Sequence, residues 1–310
     1  MIIYRKIIIR ILDVFRNISE FGIKISFVYE IYRYLNRFIF VRKLRHKVIV
    51  DYLKRNYLPI IEKYRNCNNS SNCILQHDSP IWVFWLQGIE NSPVIVQKCV
   101  NMIINNSAEH PVIILDKRNL SDFVSLPTWI FDKVDKGLMT YTHFSDILRM
   151  ALITQRGGIW MDATLFLTSP LHIEGECFWT IKQNKVPDFK YVSQYRWTGF
   201  CMGAGKGNLL TSFSLEMLLA YNRDKDTLID YLLLDYIIEL GYLELPSIRS
   251  FIDNISFSNP NLYYLQNNIH HNYCENEFRE VKNNTYIFKL NRRITSSENP
   301  DSYFNRLFLS

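Results

Sequence analysis

Three charged residues, Asp146, Arg149 and Asp162, have types and spacing that could support chemistry. They lie in the stretch SDILRMALITQRGGIWMDAT, residues 145–164. Asp146 and Arg149 are three residues apart, so a helix would place them on one face. Asp162 follows a short apolar run, where a buried strand is expected to leave a sheet. Carboxylates so placed can bind a hard divalent cation, and a guanidinium can bind phosphate.

Each of these residues also has a purely structural explanation. Asp146 could be a first-turn carboxylate favoured by the helix dipole, with Arg149 as its salt-bridge partner. Asp162 could be a turn residue at a strand end. All three occur in register with Gly157-Gly158 and an aromatic residue, and this combination favours a binding site over separate structural roles.

The surrounding sequence alternates between strands and helices. Buried strands are predicted at 81–88, 111–116 and in GIWMD, and further strands near 177–183 and 198–204. Helices are predicted from Pro93 to about Ile104, from about His143 to Gln155, and near 207–222 and 226–240. This alternation predicts an α/β fold with a mostly parallel sheet flanked by helices. Ligands bind such sheets at the carboxyl ends of the strands, where Asp162 would lie.

The stretch 145–164 resembles the donor-site signature of retaining GT-A glycosyltransferases of family 32, in particular their capsular polysaccharide synthesis group. The shared order is Ser-Asp, then Arg, then Gly-Gly-x-aromatic-x-Asp, which also occurs in glucosylating toxins. IWVFWLQG followed by Pro93 is similar to the first strand of that family. The resemblance covers residues 80–170 well and the rest loosely. It implies a GT-A-like, Rossmann-type sheet and a UDP-sugar donor.

The resemblance also implies roles for individual residues. Asp162 would bind the ribose and a metal ion, while Asp146 and Arg149 would bind the donor sugar and phosphates. Trp85 would stack on uracil, although such a residue is as often part of a core. The residues expected to bind the nucleotide sugar are Trp85, Gln87, Ser145, Trp160, Thr164, Asp235, Lys289 and Arg292. A solvated basic turn is an equal explanation for the last two.

The metal expectation carries one departure from the family pattern. The family usually has Asp-x-Asp, whereas this chain has Asp162-Ala163-Thr164. Thr164 offers a neutral hydroxyl where a second carboxylate is expected, so metal binding is weaker or Asp235 contributes a ligand. A divalent cation, Mn or Mg, is expected to offset charge on the UDP leaving group.

The same resemblance implies the partners. The donor would be UDP-galactose or UDP-glucose, which differ in one axial or equatorial hydroxyl that only pocket shape distinguishes. The acceptor would be a polyprenyl-diphosphate-linked sugar, namely undecaprenyl-diphosphate-glucose. Transfer would retain configuration by front-face displacement, with no enzyme nucleophile required.

The basic charge of the chain is concentrated at its N-terminus. Residues 1–65 carry 15 Lys/Arg and 5 Asp/Glu, a balance of +10, so the remaining residues carry −4 of the overall +6. Apolar residues at helical spacing predict a basic amphipathic helix whose apolar face comprises Val28, Ile31, Tyr32, Leu35, Phe38 and Ile39. This segment is expected to dock on an anionic membrane surface. Packing on the catalytic domain or on a second subunit, as in a homo-oligomer, is the alternative.

The predicted organisation is a docking segment at 1–65, a linker at 66–80 and a GT-A glycosyltransferase domain at 81–310. Because no cleavable signal peptide is visible, the expected location is cytoplasmic, peripheral on the inner face of the cell membrane. A non-catalytic membrane-surface adaptor would explain the basic helices but not Asp146, Arg149 and Asp162 together. Nucleic acid is not an expected partner, because the basic residues alternate with aliphatics rather than with stacking aromatics on strands.

Overall fold

The computed structural model describes residues 2–67 and 74–309. Its helices are α1 (Ile2–Phe21), α2 (Ile23–Leu35), α3 (Ile39–Asn56), α4 (Leu58–Arg65), α5 (Val94–Asn105), α6 (Leu120–Phe123), α7 (Thr128–Asp135), α8 (Tyr141–Arg156), α9 (Leu209–Asp224), α10 (Leu233–Glu244), α11 (Pro246–Asp253), α12 (Tyr264–Asn268) and α13 (Glu275–Lys282). Its strands are β1 (Ile81–Phe84), β2 (Val112–Leu115), β3 (Gly158–Met161), β4 (Leu165–Leu167), β5 (Phe178–Thr180), β6 (Cys201–Ala204) and β7 (Ile287–Lys289). A 3-10 helix spans Ile89–Asn91, and a π-helix spans Asn305–Leu309.

The central sheet has the strand order β2-β1-β3-β6-β5. β1 pairs in parallel with both β2 and β3, whereas β6 runs antiparallel to both β3 and β5. Four of these five strands therefore point the same way. The predicted α/β fold with a mostly parallel sheet is confirmed.

A second, two-stranded sheet joins distant parts of the chain. β4 and β7 pair antiparallel, with Leu165 opposite Lys289. The backbone N–H of Leu290 also donates to Thr164 O at 3.0 Å. This pairing places Lys289 beside the segment that follows β3.

Two hydrophobic cores lie on the two faces of the central sheet. Trp82, Trp160 and Met202 belong to the core that contains α3, α8, α9 and α10, whereas their neighbours Ile81 and Ile159 belong to the core that contains α5 and β4. Successive side chains of a strand point to opposite faces, so the alternation fixes which strand residues face each layer. Burial on both faces explains the continuous apolar runs of the sequence.

The N-terminal helices share the first of these cores. Ile25 of α2, Ile49 and Leu53 of α3, and Ile61 of α4 are all buried. α3 packs against α10, and α4 packs against α9. The division of the chain at 1–65 and 66–80 stays a prediction, and part of the linker lies outside the described residues.

The predicted apolar face of the basic helix is wrong in its geometry. α2 ends at Leu35 and α3 begins at Ile39, so Val28 and Ile39 lie on different helices. Val28 is buried in the core, while Phe38 and Ile39 are exposed. The turn between the helices lets α2 pack back on α3, which a single continuous helix could not do.

The remaining element predictions hold within a few residues, with one exception. The predicted helix 226–240 begins only at Leu233. Asp230 Oδ1 accepts a hydrogen bond from the Leu232 backbone N–H at 2.9 Å, and such a local bond competes with helix formation. Among the described residues, no helix is long and apolar enough to cross a bilayer.

Candidate active site

The Gly157-Gly158 turn joins α8 directly to β3. Both glycines have positive φ, 75° and 108°. A Cβ on Gly158 would lie 2.4 Å from Pro80 O, and one on Gly157 would lie 2.8 Å from Lys206 N. The turn therefore requires glycine at both positions. It lets α8 pack beside β3, so that Arg149 of α8 contacts Asp162, the residue after β3.

Asp162 occupies the position directly after β3. Its backbone N–H donates to Phe200 O at 2.9 Å. Trp160 Nε1 donates to Asp162 Oδ1 at 3.0 Å, and Lys289 Nζ donates to Oδ2 at 3.2 Å. Burial alone would raise the pKa of this carboxyl, but Lys289, Arg149 and these hydrogen bonds outweigh it and lower the pKa below its usual range. Asp162 is therefore an ionised carboxylate with both oxygens engaged.

Arg149 links α8 to Asp162, the residue that follows β3. Its Nη1 lies 3.2 Å from Asp146 Oδ1, and its Nη2 lies 3.5 Å from Asp162 Oδ1. The guanidinium carbon sits 5.0 Å from the centroid of the Trp160 ring. The residue is 6% exposed. The nearby Gly199 leaves room for it, because a Cβ there would lie 3.1 Å from Arg149 Nη1.

Two further carboxyl groups near Arg149 have raised pKa values. Burial raises the pKa of Asp146 to about 7, although Arg149 opposes the shift. Burial also raises the pKa of Asp235 to about 6, against the hydrogen bond that Trp197 Nε1 donates to Asp235 Oδ1 at 2.7 Å. Groups with pKa values moved toward neutrality cluster at functional sites. Burial is thus the main cause of the raised pKa of both carboxyls.

A cavity of about 530 Å³ opens at the carboxyl ends of β1 and β3. Of the predicted site residues, those that line it are Trp85, Gln87, Ser145, Trp160, Asp162, Thr164, Lys289 and Arg292. Asp146 and Arg149 do not line it, although Arg149 contacts Asp162, which does. The cavity thus combines aromatic walls with a carboxylate and two cationic side chains.

A second cavity of about 510 Å³ adjoins the first. Phe200, Tyr263 and Gln266 line both, so they form the boundary between the two. Asp235 lines this second cavity and not the first. The ammonium group of Lys185 sits 5.3 Å from the centroid of the Tyr195 ring at its edge. Because Asp235 lines only the second cavity, it is separated from the other predicted nucleotide-sugar residues, which line the first.

Sequence reasoning missed the residues that divide the two cavities. Phe200, Tyr263 and Gln266 belong to no motif, and Gln266 lies on the short helix α12. Lys289 was expected at the site, but its contact with Asp162 was not. These two residues are 127 positions apart, and only the pairing of β4 with β7 brings them together.

The residues around Asp162 do not fit a divalent cation as they are arranged. Lys289 donates to Asp162 Oδ2, on the carboxylate predicted to bind a metal, and also to Thr164 Oγ1, the hydroxyl found where the family usually has a second carboxylate. Trp160 takes the other carboxylate oxygen. Across residues 2–67 and 74–309, no group of three His, Cys, Asp or Glu side chains is placed to hold a metal ion.

Chemically, the first cavity suits an anionic ligand with a flat ring. Lys289 and Arg292 can bind phosphate oxygens, and Trp85, which lines the same cavity, offers an aromatic face. Asp162 presents a carboxylate that can accept hydrogen bonds from hydroxyl groups. The second cavity offers an adjoining space for another polar ligand.

Comparison with known proteins places these features in a family context. Residues 32–307 match the profile of a family described as "Capsular polysaccharide synthesis protein". A curated relative, the O-glycosyltransferase braB of Annulohypoxylon truncatum, is 30% identical over 132 residues, which are 40% of this chain and 29% of the relative. The chain thus spans less than a third of that relative's length.

Two solved structures are also similar to this chain. The PaToxG glycosyltransferase has a TM-score of 0.40 and 16% identity, and the match covers 86% of this chain and 96% of that one. The apo structure of the bifunctional glycosyltransferase WbbM has a TM-score of 0.39 and 7% identity, with 79% of this chain and 50% of that chain covered.

Proposed function

The chain belongs to the capsular polysaccharide synthesis protein family, and from this premise we propose that it is a glycosyltransferase that moves a hexose from a UDP-sugar to a lipid-linked sugar. The proposal rests on the first cavity. Its lining includes Trp85, Asp162 and Lys289, and it opens at the carboxyl ends of the parallel strands β1 and β3. An aromatic ring, a carboxylate and a cation are the groups needed for a base, a sugar and a diphosphate.

The donor is placed by matching its parts to the cavity wall. Uracil stacks on Trp85, and the diphosphate lies against Lys289 and Arg292. Asp162 then accepts hydrogen bonds from ribose or hexose hydroxyls. Arg149, itself paired with Asp146, holds Asp162 in position, and neither residue touches the donor.

The acceptor sugar enters the second cavity. This cavity shares Phe200, Tyr263 and Gln266 with the first cavity and therefore adjoins the donor. Lys185 and Lys190 at this cavity suit the diphosphate of a polyprenyl-diphosphate-linked sugar such as undecaprenyl-diphosphate-glucose. Asp235 lies at the same cavity, where it can accept a hydrogen bond from an acceptor hydroxyl.

Transfer proceeds with retention of configuration. The acceptor oxygen forms a bond to the anomeric carbon on the face from which UDP departs. The bond from that carbon to the phosphate oxygen breaks, and the departing phosphate receives the acceptor proton. Lys289 and Arg292 stabilise the negative charge that develops on the diphosphate, and no side chain forms a covalent intermediate.

The donor hexose is galactose in this proposal, with glucose as the alternative. The capsular group that the signature resembles supports a hexose transferred from UDP. Galactose and glucose differ at one hydroxyl, so comparison of kcat/KM for UDP-galactose and UDP-glucose separates the two.

The protein acts at the inner face of the cell membrane, where the acceptor lipid resides. Large apolar side chains on α1–α3 support this location, because Phe15, Phe27 and Phe40 are each 65% exposed. They lie among the 15 Lys/Arg of residues 1–65. Apolar side chains beside basic ones suit an anionic bilayer surface.

The proposal is tested by incubating the purified protein with UDP-galactose or UDP-glucose and a synthetic prenyl-diphosphate-glucose. Release of UDP together with a disaccharide product of α configuration is the expected result, as measured by mass spectrometry and proton NMR. Absence of both UDP binding and transfer would contradict the proposal. A non-catalytic adaptor would bind vesicles yet give this negative result.

A further inference from the structure

Lys289 occupies the position that a divalent cation would need. Its ammonium lies 3.2 Å from Asp162 Oδ2 and donates to Thr164 Oγ1. These are two of the three side-chain oxygens that Asp162 and Thr164 could offer to a metal ion, and the third, Asp162 Oδ1, accepts a hydrogen bond from Trp160 Nε1. One ammonium group therefore contacts both oxygens.

The backbone fixes Lys289 at this place. It is the last residue of β7 and pairs with Leu165 of β4. Its own N–H donates to Leu262 O at 2.8 Å, and the next N–H, that of Leu290, donates to Thr164 O at 3.0 Å. The side chain is 18% exposed, and its ammonium nitrogen lies 5.1 Å from the centroid of the Phe200 ring. Strand pairing thus fixes the backbone of Lys289, and the side chain lines the cavity.

The charge around Asp162 is already balanced without a metal ion. Lys289 and Arg149 both lie within 4 Å of the carboxylate. A divalent ion at the same oxygens would stand next to two like charges. Of the residues that line the first cavity, Asp162 is acidic whereas Lys289 and Arg292 are basic, so the lining carries a net charge of +1 (2 − 1). Such a cavity attracts an anion directly.

We propose that this protein binds the nucleoside diphosphate of its donor without a divalent cation, with Lys289 supplying the positive charge that a bound metal would provide. The inference rests on the proposed function and adds to it. The Mn or Mg expected from the sequence is replaced by a side chain encoded in the C-terminal part of the chain. Thr164 serves as the neutral acceptor that orients this ammonium, which explains a hydroxyl where a second carboxylate is expected.

Binding of UDP tests this directly. Isothermal titration of the full chain is carried out in buffer containing EDTA and in buffer containing excess MnCl₂. The same titrations are made with Lys289→Met, which keeps an unbranched side chain and removes the ammonium group and its charge. The matched control is Lys206→Met. Lys206 is exposed and lies near Gly158 at the start of β3, whereas Asp162 follows the end of that strand.

The expected dissociation constant of the unmodified protein is the same in EDTA and in MnCl₂ within about twofold. Loss of one charged hydrogen bond to phosphate weakens binding roughly 10- to 100-fold, so Lys289→Met is expected to show this loss in EDTA while Lys206→Met does not. Circular dichroism and thermal unfolding establish that both variants are folded.

Three other outcomes overturn the inference. Binding of UDP only in MnCl₂ refutes metal independence but leaves the proposed function standing, and this comparison needs no variant. Unchanged affinity of a folded Lys289→Met in EDTA removes Lys289 from the diphosphate. Absence of UDP binding in both buffers contradicts the proposed function itself, and the inference with it.

Discussion

Arg149 Nη2 lies 3.5 Å from Asp162 Oδ1, and this contact joins α8 to the residue that follows β3. The same guanidinium reaches Asp146 one helical turn away, at 3.2 Å from Nη1. The salt bridge expected within the helix therefore exists, but it is part of a larger arrangement. One buried cation holds two carboxylates that belong to different elements.

Arg149→Met is expected to lower the free energy of unfolding by about 3 kcal/mol, because it leaves two carboxylates without their shared cation. Asp146→Asn in the same background should recover part of this loss, since it removes one of those charges. Urea unfolding of the two single variants and the double variant measures the coupling. Strict additivity would mean that Arg149 and Asp146 do not interact in the folded protein.

Asp162→Asn should abolish hexose transfer while the protein stays folded. The substitution keeps the volume of the side chain but removes the charge that Lys289 and Arg149 surround. A fall in kcat/KM of about a hundredfold or more is expected. Near-normal turnover in a folded Asp162→Asn would exclude this carboxylate from the donor site.

Asp146 should make stability depend on pH between about 4 and 7. Its pKa is about 7 in the folded protein and about 3.9 when unfolded. In this window the folded state keeps the proton that the unfolded state releases, so raising the pH favours unfolding by up to about 1.4 kcal/mol per pH unit. Asp146→Asn lacks this group, and its unfolding free energy should fall less steeply from pH 4 to 7. Identical slopes for the two proteins would argue against the raised pKa.

Gly158→Ala should destabilise the turn between α8 and β3. Gly158 has φ of 108°, and the added Cβ would meet Pro80 O at 2.4 Å. A loss of a few kcal/mol is expected, since backbone strain and a steric clash add together. Gly175→Ala is a suitable control, because Gly175 also has positive φ (76°) but nothing within 4 Å of its Cβ position. Equal melting temperatures for the two variants would contradict the steric argument.

Replacement of Phe15 and Phe27 by Gln should weaken binding to vesicles that contain phosphatidylglycerol. Both side chains are exposed and would otherwise enter the boundary between headgroups and acyl chains. Charge reversal at Arg37 and Lys43 should weaken binding further, by about 1 kcal/mol per charge removed. Arg33 and Arg42 are less suitable, because Arg33 pairs with Glu30 and Arg42 donates to Asp188 O. Protein that stays in the supernatant at low salt with these vesicles would show that the surface does not dock on membranes.

The sequence by itself determined the elements from β1 to β3, which form part of the first cavity. Apolar strands that alternate with helices predicted a mostly parallel sheet, because parallel strands need crossover connections, which are usually helices. Gly157-Gly158 marked a turn between a helix and a short strand, and it placed Asp162 at the end of that strand. These features are local, since each depends on residues within one or two elements.

The tertiary structure alone decided which residues meet. Lys289 contacts Asp162 because β4 pairs with β7, and no periodicity in the sequence reports a pairing between strands that are more than a hundred residues apart. Helix packing likewise decides that Asp235 lines the second cavity rather than the first. It also decides that Val28 is buried while Phe38 and Ile39 are exposed. Side-chain type and spacing fix what a segment can form, whereas contacts between distant segments depend on the free energy of the whole packed chain.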